Sequence, residues 1–101
     1  MIKNIVASRK VKAVDFTGKT FDLTIVIGLP FEVGHDEWAC PVSMEGLYKQ
    51  RGPIFGVDSF QALMLAVKFV KDLLKDFQDK GGSIYWADDS KPASLNDLMH
   101  L

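Results

Sequence analysis

The sequence predicts an α+β domain: an antiparallel sheet of four to five strands, one long helix over about 58–80 packed on one face, and a short C-terminal helical turn. Three observations carry this expectation. Period-two apolar patterns recur through the first half of the chain. A long stretch of helical periodicity with its own start and stop signals follows them. The early strands are joined by connections too short for the crossovers that parallel strands need, so they pair antiparallel and leave one face for the helix. The 101 residues suit a single domain, 1–101, with one core.

Residues 5–14 are rich in Val and Ala, with Lys10 and Lys12 alternating against Val11 and Ala13. Asp15 to Lys19 reads as a turn, with Gly18 free to take the positive φ of a tight reversal. In the next run Phe21, Leu23, Ile25 and Ile27 share one face while Asp22, Thr24 and Val26 share the other, the pattern of a half-buried strand. Together the two runs predict a β-hairpin, ended at Gly28-Leu29-Pro30 because proline has no amide hydrogen to give a ladder. A loop is expected through Gly34-His35-Asp36. A third strand follows, with Trp38, Cys40, Val42 and Met44 on its apolar face, and Pro41 within it implies an edge position or a bulge. After a polar loop holding Lys49, Gln50 and Arg51, a short fourth strand is expected near 53–57.

Asp58 and Gln61 have the spacing of a capping box, in which side chains satisfy amides that the first helical turn leaves unpaired. Gly81 and Gly82 stop the helix. Between them Leu63, Ala66, Val67, Val70, Leu74 and Phe77 form a continuous apolar stripe, and Gln61, Lys68, Asp72, Lys75 and Asp79 form the opposite one. Asp72 and Asp76 each have a lysine one turn away. Residues 83–86 predict a short strand. Ser94 is placed to cap a final turn in which Leu95, Leu98 and Met99 share a face.

Composition narrows the function classes. Hydrophobic residues make up 48% and charged residues 25%, the balance of a globular chain. The net charge is -1, with six basic and six acidic residues in 1–50 and six and seven in 51–101, so no global field draws in nucleic acid or an anionic membrane. The one cysteine permits no internal disulfide and fits a cytoplasmic setting. The start of the chain lacks the pattern of a signal peptide, and the apolar run 60–67, broken by Gln61, is too short to span a bilayer.

No stretch amounts to a catalytic, metal or nucleotide motif. The densest polar cluster is His35-Asp36-Glu37, followed by Trp38 and Cys40. A structural zinc site wants four ligands, whereas the chain offers one Cys and two His, the second being His100 near the terminus. Cys40 shares parity with Trp38, Val42 and Met44, so it is expected in the core rather than as a nucleophile. Residues 52–56 lack the ending of a phosphate loop, and Asp58 would repel an anion at the helix start. Lys3, Arg9, Lys10 and Lys12 make the first strand basic, which fits an edge guarded by lysines better than a nucleic-acid face, since Arg9 points opposite to Lys10 and Lys12. No cofactor and no metal is expected.

The first half of the helix is apolar almost all the way round. Leu65 projects beside Gln61, Lys68 and Asp72, and Met64 flanks the same polar face from the other side. Such a helix is buried on more than one side. Either the C-terminal turn folds back over it, or a second copy of the chain covers it.

Trp38-Ala39-Cys40-Pro41, then Glu45-Gly46-Leu47, then Gly56 to Leu63 followed by Leu65-Ala66, resembles a family of small bacterial domains of unknown function. In these a Trp-x-Cys-Pro strand precedes a Gly-x-Asp-x-x-Gln-Ala-Leu helix start. The resemblance covers roughly 5–86 and implies the fold and a bacterial cytoplasmic setting, with no activity attached; the Lys49-Gln50-Arg51 loop is where such domains would vary.

The leading expectation is a non-enzymatic protein-interaction domain, a homodimer with Met64, Leu65 and Lys68 at its interface, of accessory or immunity type. The alternative is a small-molecule-binding domain or small enzyme with a pocket near the 34–38 loop, using His35, Asp36 and Trp86. Neither reading involves nucleic acid or a membrane.

Overall fold

Alternation along residues 20–28 sets the first hairpin. In the computed structural model, which describes residues 2–48 and 52–99, β1 (Ile5–Val14) pairs antiparallel with β2 (Thr20–Gly28). Val11 lies opposite Leu23 and Ala13 opposite Phe21, so the apolar residues of both strands share one face. The turn between them is tied by Asp15, whose Oδ1 accepts from the N–H of Thr17 at 2.9 Å and of Lys19 at 3.0 Å, with Gly18 at φ +88°. Five further strands follow among the described residues: β3 (Phe31–Gly34), β4 (Glu37–Cys40), β5 (Val42–Glu45), β6 (Ile54–Gly56) and β7 (Ser83–Trp86). The helices are α1 (Ser59–Asp79) and α2 (Leu95–Met99).

The α+β class holds, but the strands form two antiparallel sheets rather than one. Sheet A has the order β5-β2-β1-β7, and sheet B the order β3-β4-β6. The division falls where the prolines are. Residues 38–44, read from the sequence as one strand, break at Pro41 into β4 in sheet B and β5 in sheet A. Pro30 likewise separates β2 from β3, a strand where the sequence suggested a loop. Without amide hydrogens, neither proline can donate to a ladder. The two breaks lie side by side: Gly28 donates to the Pro41 carbonyl at 2.8 Å, and Leu29 to that of Asn4 at 2.7 Å. A Cβ at Gly28 would meet Ile2 Cγ2 at 2.7 Å and Pro41 Cβ at 3.0 Å, so a larger residue there would have to displace the Ile2 side chain and press on the Pro41 ring. Both stretches of the chain therefore turn the corner together, and the parity of the apolar row survives it. Cys40, Val42 and Met44 are all buried, and Trp38 packs against the same core.

β1 changes role along its length. Over Val11–Val14 it is interior, with β2 on one side and β7 on the other. Over residues 5–10 only β2 pairs with it. Lys12 faces Asp22 across the ladder at 3.7 Å. The outer side of β7 is closed by the chain that follows, through Trp86 N–H to the Lys91 carbonyl and Ala93 N–H to that of Ile84, both 2.9 Å.

α1 begins as its capping residues dictate. Asp58 Oδ1 accepts from Gln61 N–H at 2.7 Å, and Gln61 Oε1 accepts from Val57 N–H at 2.8 Å. It ends on Gly81 at φ +96°, with Gly81 N–H donating to the Gln78 carbonyl and Gly82 N–H to that of Phe77. At about 31 Å long, the helix straddles both sheets. Its start lies on β6, and its later turns lie over sheet A, where Phe77 meets Phe21 edge to face at 6.0 Å. Ala62, Ala66, Val70 and Leu74 are buried. Lys68–Asp72, Lys75–Asp79 and Lys80–Asp76 pair along the outer face at 2.7–2.9 Å.

α2 is capped reciprocally by Ser94 and Asp97. Leu95, Leu98 and Met99 join the core. Arg9 holds the element down: its Nη1 donates to the Leu98 carbonyl at 2.9 Å, and its guanidinium sits 5.5 Å from the centre of the Trp86 ring. With α2 in this place, Met64 and Leu65 remain 44% and 39% exposed, so the C-terminal turn does not cover them. The Lys49-Gln50-Arg51 loop and His100 lie outside the described residues.

Candidate functional site

The two sheets treat their outer faces differently. A sheet covered on one side ordinarily turns polar residues outward. Sheet A does so: Lys10, Lys12, Asp22, Thr24 and Glu45 lie on the face away from its apolar row. Sheet B does not. Trp38 pairs with Gly56 and Cys40 with Ile54 on the helix side, so Phe31, Ala39 and Phe55 turn to the outside. Val33, at the irregularity between Glu32 and Gly34, and Val57, just past the end of β6, add exposed apolar side chains beside them. The register places Phe31, Ala39 and Phe55 in one row across three strands, and Ala39 between the two rings is fully buried. Phe31, Val33, Phe55 and Val57 are each 44–55% exposed.

The apolar face continues toward the sheet corner. There Leu29, Phe31, Pro41, Pro53 and Ile2 line a groove of about 330 Å³, with Lys3 and Asn4 at its side. The opposite end is acidic. It is the β3–β4 turn, where Asp36 takes φ 53° and its Oδ2 lies 3.2 Å from His35 Nε2, next to Glu37. The face is thus a strip of aromatic and aliphatic side chains, basic at the corner and acidic at the tip.

His35 and Asp36 touch each other at this exposed tip. Trp86 does not join them: it belongs to β7 of the other sheet and packs under Arg9. Met64, Leu65 and Lys68 lie along the outer side of α1, with Lys68 Nζ on Asp72 Oδ2. Cys40 is fully buried, its thiol directed at the Gly28 carbonyl at 3.4 Å, and burial pushes its pKa up. Every buried side chain among the described residues is apolar or this thiol. Among the same residues no three His, Cys, Asp or Glu side chains gather as metal ligands, and no helix is long and apolar enough to cross a membrane.

Sequence reasoning missed Phe31, Val33, Phe55 and Val57. Their signal was an apolar residue at alternate positions in two very short runs. What it meant depended on the register through Ala39, which no local pattern shows.

Fold and surface together define an α+β domain with one polar-faced sheet and one apolar-faced sheet. Over residues 7–95, from β1 into α2, the chain matches a domain of unknown function, DUF6968, and it belongs to that family. No curated protein and no solved structure matches it.

Proposed function

We propose that this is a non-enzymatic interaction domain that works as a homodimer through the outer face of sheet B. The observation that carries the reading is the row of half-exposed Phe31, Val33, Phe55 and Val57 on a sheet whose inner face is already filled by α1. At about 200 Å² for a whole phenylalanine, these side chains and Leu29 leave roughly 400 Å² of apolar area in water, a large patch for a monomer. Two such faces together, with their polar rims, reach the lower range of specific interfaces, about 1,200 Å².

A second copy suits this face for a reason of charge. A two-fold axis through the strip brings the Lys3 end of one copy onto the Asp36–Glu37 end of the other, twice. The net charge of -1 gives two copies almost no mutual repulsion. A reducing, cytoplasmic setting suits the single buried thiol.

The helix offers a second reading, favoured by the exposure of Met64 and Leu65 beside Lys68. Light scattering on two variants separates them. Phe55→Lys converts the dimer to a folded monomer if sheet B is the interface, and Leu65→Lys does so if α1 is. A wild-type monomer at every concentration overturns the homodimer and leaves the face to another protein, in an accessory or immunity-type role.

A further inference from the structure

We propose that the slot beneath α2 is a binding site for a small aliphatic monocarboxylate, with Arg9 as its anion receptor. Arg9 lies opposite Ile25 in the β1–β2 ladder, so its side chain leaves the sheet on the core side, toward α2. Beside it is a slot of about 160 Å³ walled by Ala7, Ile25, Ile27, Val70, Leu98 and Met99. Residues from two strands and two helices converge there, and apart from Ser8 and Arg9 on β1 the walls are apolar. The volume holds roughly five water-sized groups, the body of a short fatty acid.

Arg9 is the one charged side chain at the rim. Of its five N–H donors, one is committed to the Leu98 carbonyl, and its ring partner Trp86 takes a face rather than an edge. No carboxylate among the described residues pairs with it. Lys10 and Lys12 belong to the other face of β1 and bring no second cation. A single planar cation with free donors above an apolar slot selects a single planar anion on an apolar body. A phosphate or dicarboxylate would bring more charge than the site answers. This site is independent of the sheet B face.

The test is a titration of the full chain with hexanoate, 1-hexanol and acetate, read by NMR at the methyl groups and at the Trp86 indole. Hexanoate is expected to shift Ile25, Ile27, Leu98, Met99 and Trp86 in a saturable way. Arg9 being exposed, hexanoate should bind about two- to fivefold tighter than hexanol, which lacks the charge, and about tenfold or more tighter than acetate, which lacks the body. Arg9→Gln should bring hexanoate down to the level of hexanol while hexanol itself still binds. Because Arg9→Gln also removes the bond to α2, Ile27→Phe serves as a second variant; it fills the slot, keeps Arg9, and should abolish both interactions. Hexanoate binding no tighter than hexanol, binding unchanged by Ile27→Phe, or shifts centred on Phe31 and Phe55 would each overturn the proposal.

Discussion

The contact between β6 and the first turn of α1 has no room for a methyl group, and Gly56→Ala measures how much the fold depends on it. A Cβ at Gly56 would lie 2.5 Å from the Ala62 nitrogen, 2.8 Å from the Ala62 Cα and 2.9 Å from the Gln61 carbonyl carbon. All three are helix backbone, so no flexible side chain can give way. Restoring an ordinary 3.4 Å contact requires β6 to retreat by about 0.9 Å. That retreat pulls Ile54 and Trp38 off the helix, because Gly56 is paired with Trp38 and Cys40 with Ile54. Overpacking costs about 1–3 kcal/mol where side chains can adjust. Between two backbones the upper end applies, and about 3 kcal/mol lowers Tm by roughly 12–24 °C in a domain of this size. Urea titration and thermal melting read the change, with Gly52→Ala as control, since a Cβ there meets nothing within 4 Å. Gly56→Ala within about 1 kcal/mol of wild type refutes the reasoning.

Other perturbations test other parts of the structure. Leu74→Ala empties a fully buried position on α1 and should cost about 2–5 kcal/mol by chemical denaturation, whereas Leu65→Ala, on the outer side, should stay within about 1 kcal/mol of wild type in the monomer. Cys40 should resist thiol reagents in the folded chain and react at the rate of unfolding; fast labelling without denaturant would contradict its burial. Asp15 should titrate below its ordinary 3.8, first because the Thr17 hydroxyl donates to it and then because the Lys19 and Thr17 amides do. Its folded-state pKa being depressed, the stabilisation is present above the unfolded value and lost as pH falls through the folded one. Thr17→Val should return the titration toward 3.8, as followed by carboxyl NMR.

The helix was legible to within a residue or two because its limits are chemical: Asp58 with Gln61 at one end, Gly81 with Gly82 at the other. The first hairpin was legible from the alternation of Phe21, Leu23, Ile25 and Ile27. The second sheet was not. Phe31-Glu32-Val33-Gly34 is too short for periodicity to stand out between Pro30 and a turn. Pro41 was read as an irregularity in one strand because only the pairing of Gly28 with Pro41 reveals a corner shared by two stretches of the chain. Arg9 was correctly set apart from Lys10 and Lys12 by parity, but its attachment to Leu98, far along the chain, is invisible to any local rule. The exposure of the sheet B face was hidden for the same reason, since three separate short strands had to be brought into register before their outward residues met.

The pairing of β1 with β7 has a consequence for the order in which the molecule can be completed. β7 leaves the ribosome about seventy residues after β1, and α2, which Arg9 anchors, comes later still. Synthesis at about 5–20 residues per second leaves the Val11–Val14 edge waiting several seconds for its second neighbour. During that interval the nascent hairpin presents an unsatisfied strand edge and an uncovered apolar row to everything around it. Lys12, carried on the opposite face of that edge, is then a charge that discourages adhesion until the closing strand arrives, while Lys10 goes on guarding the stretch of β1 that β7 does not cover.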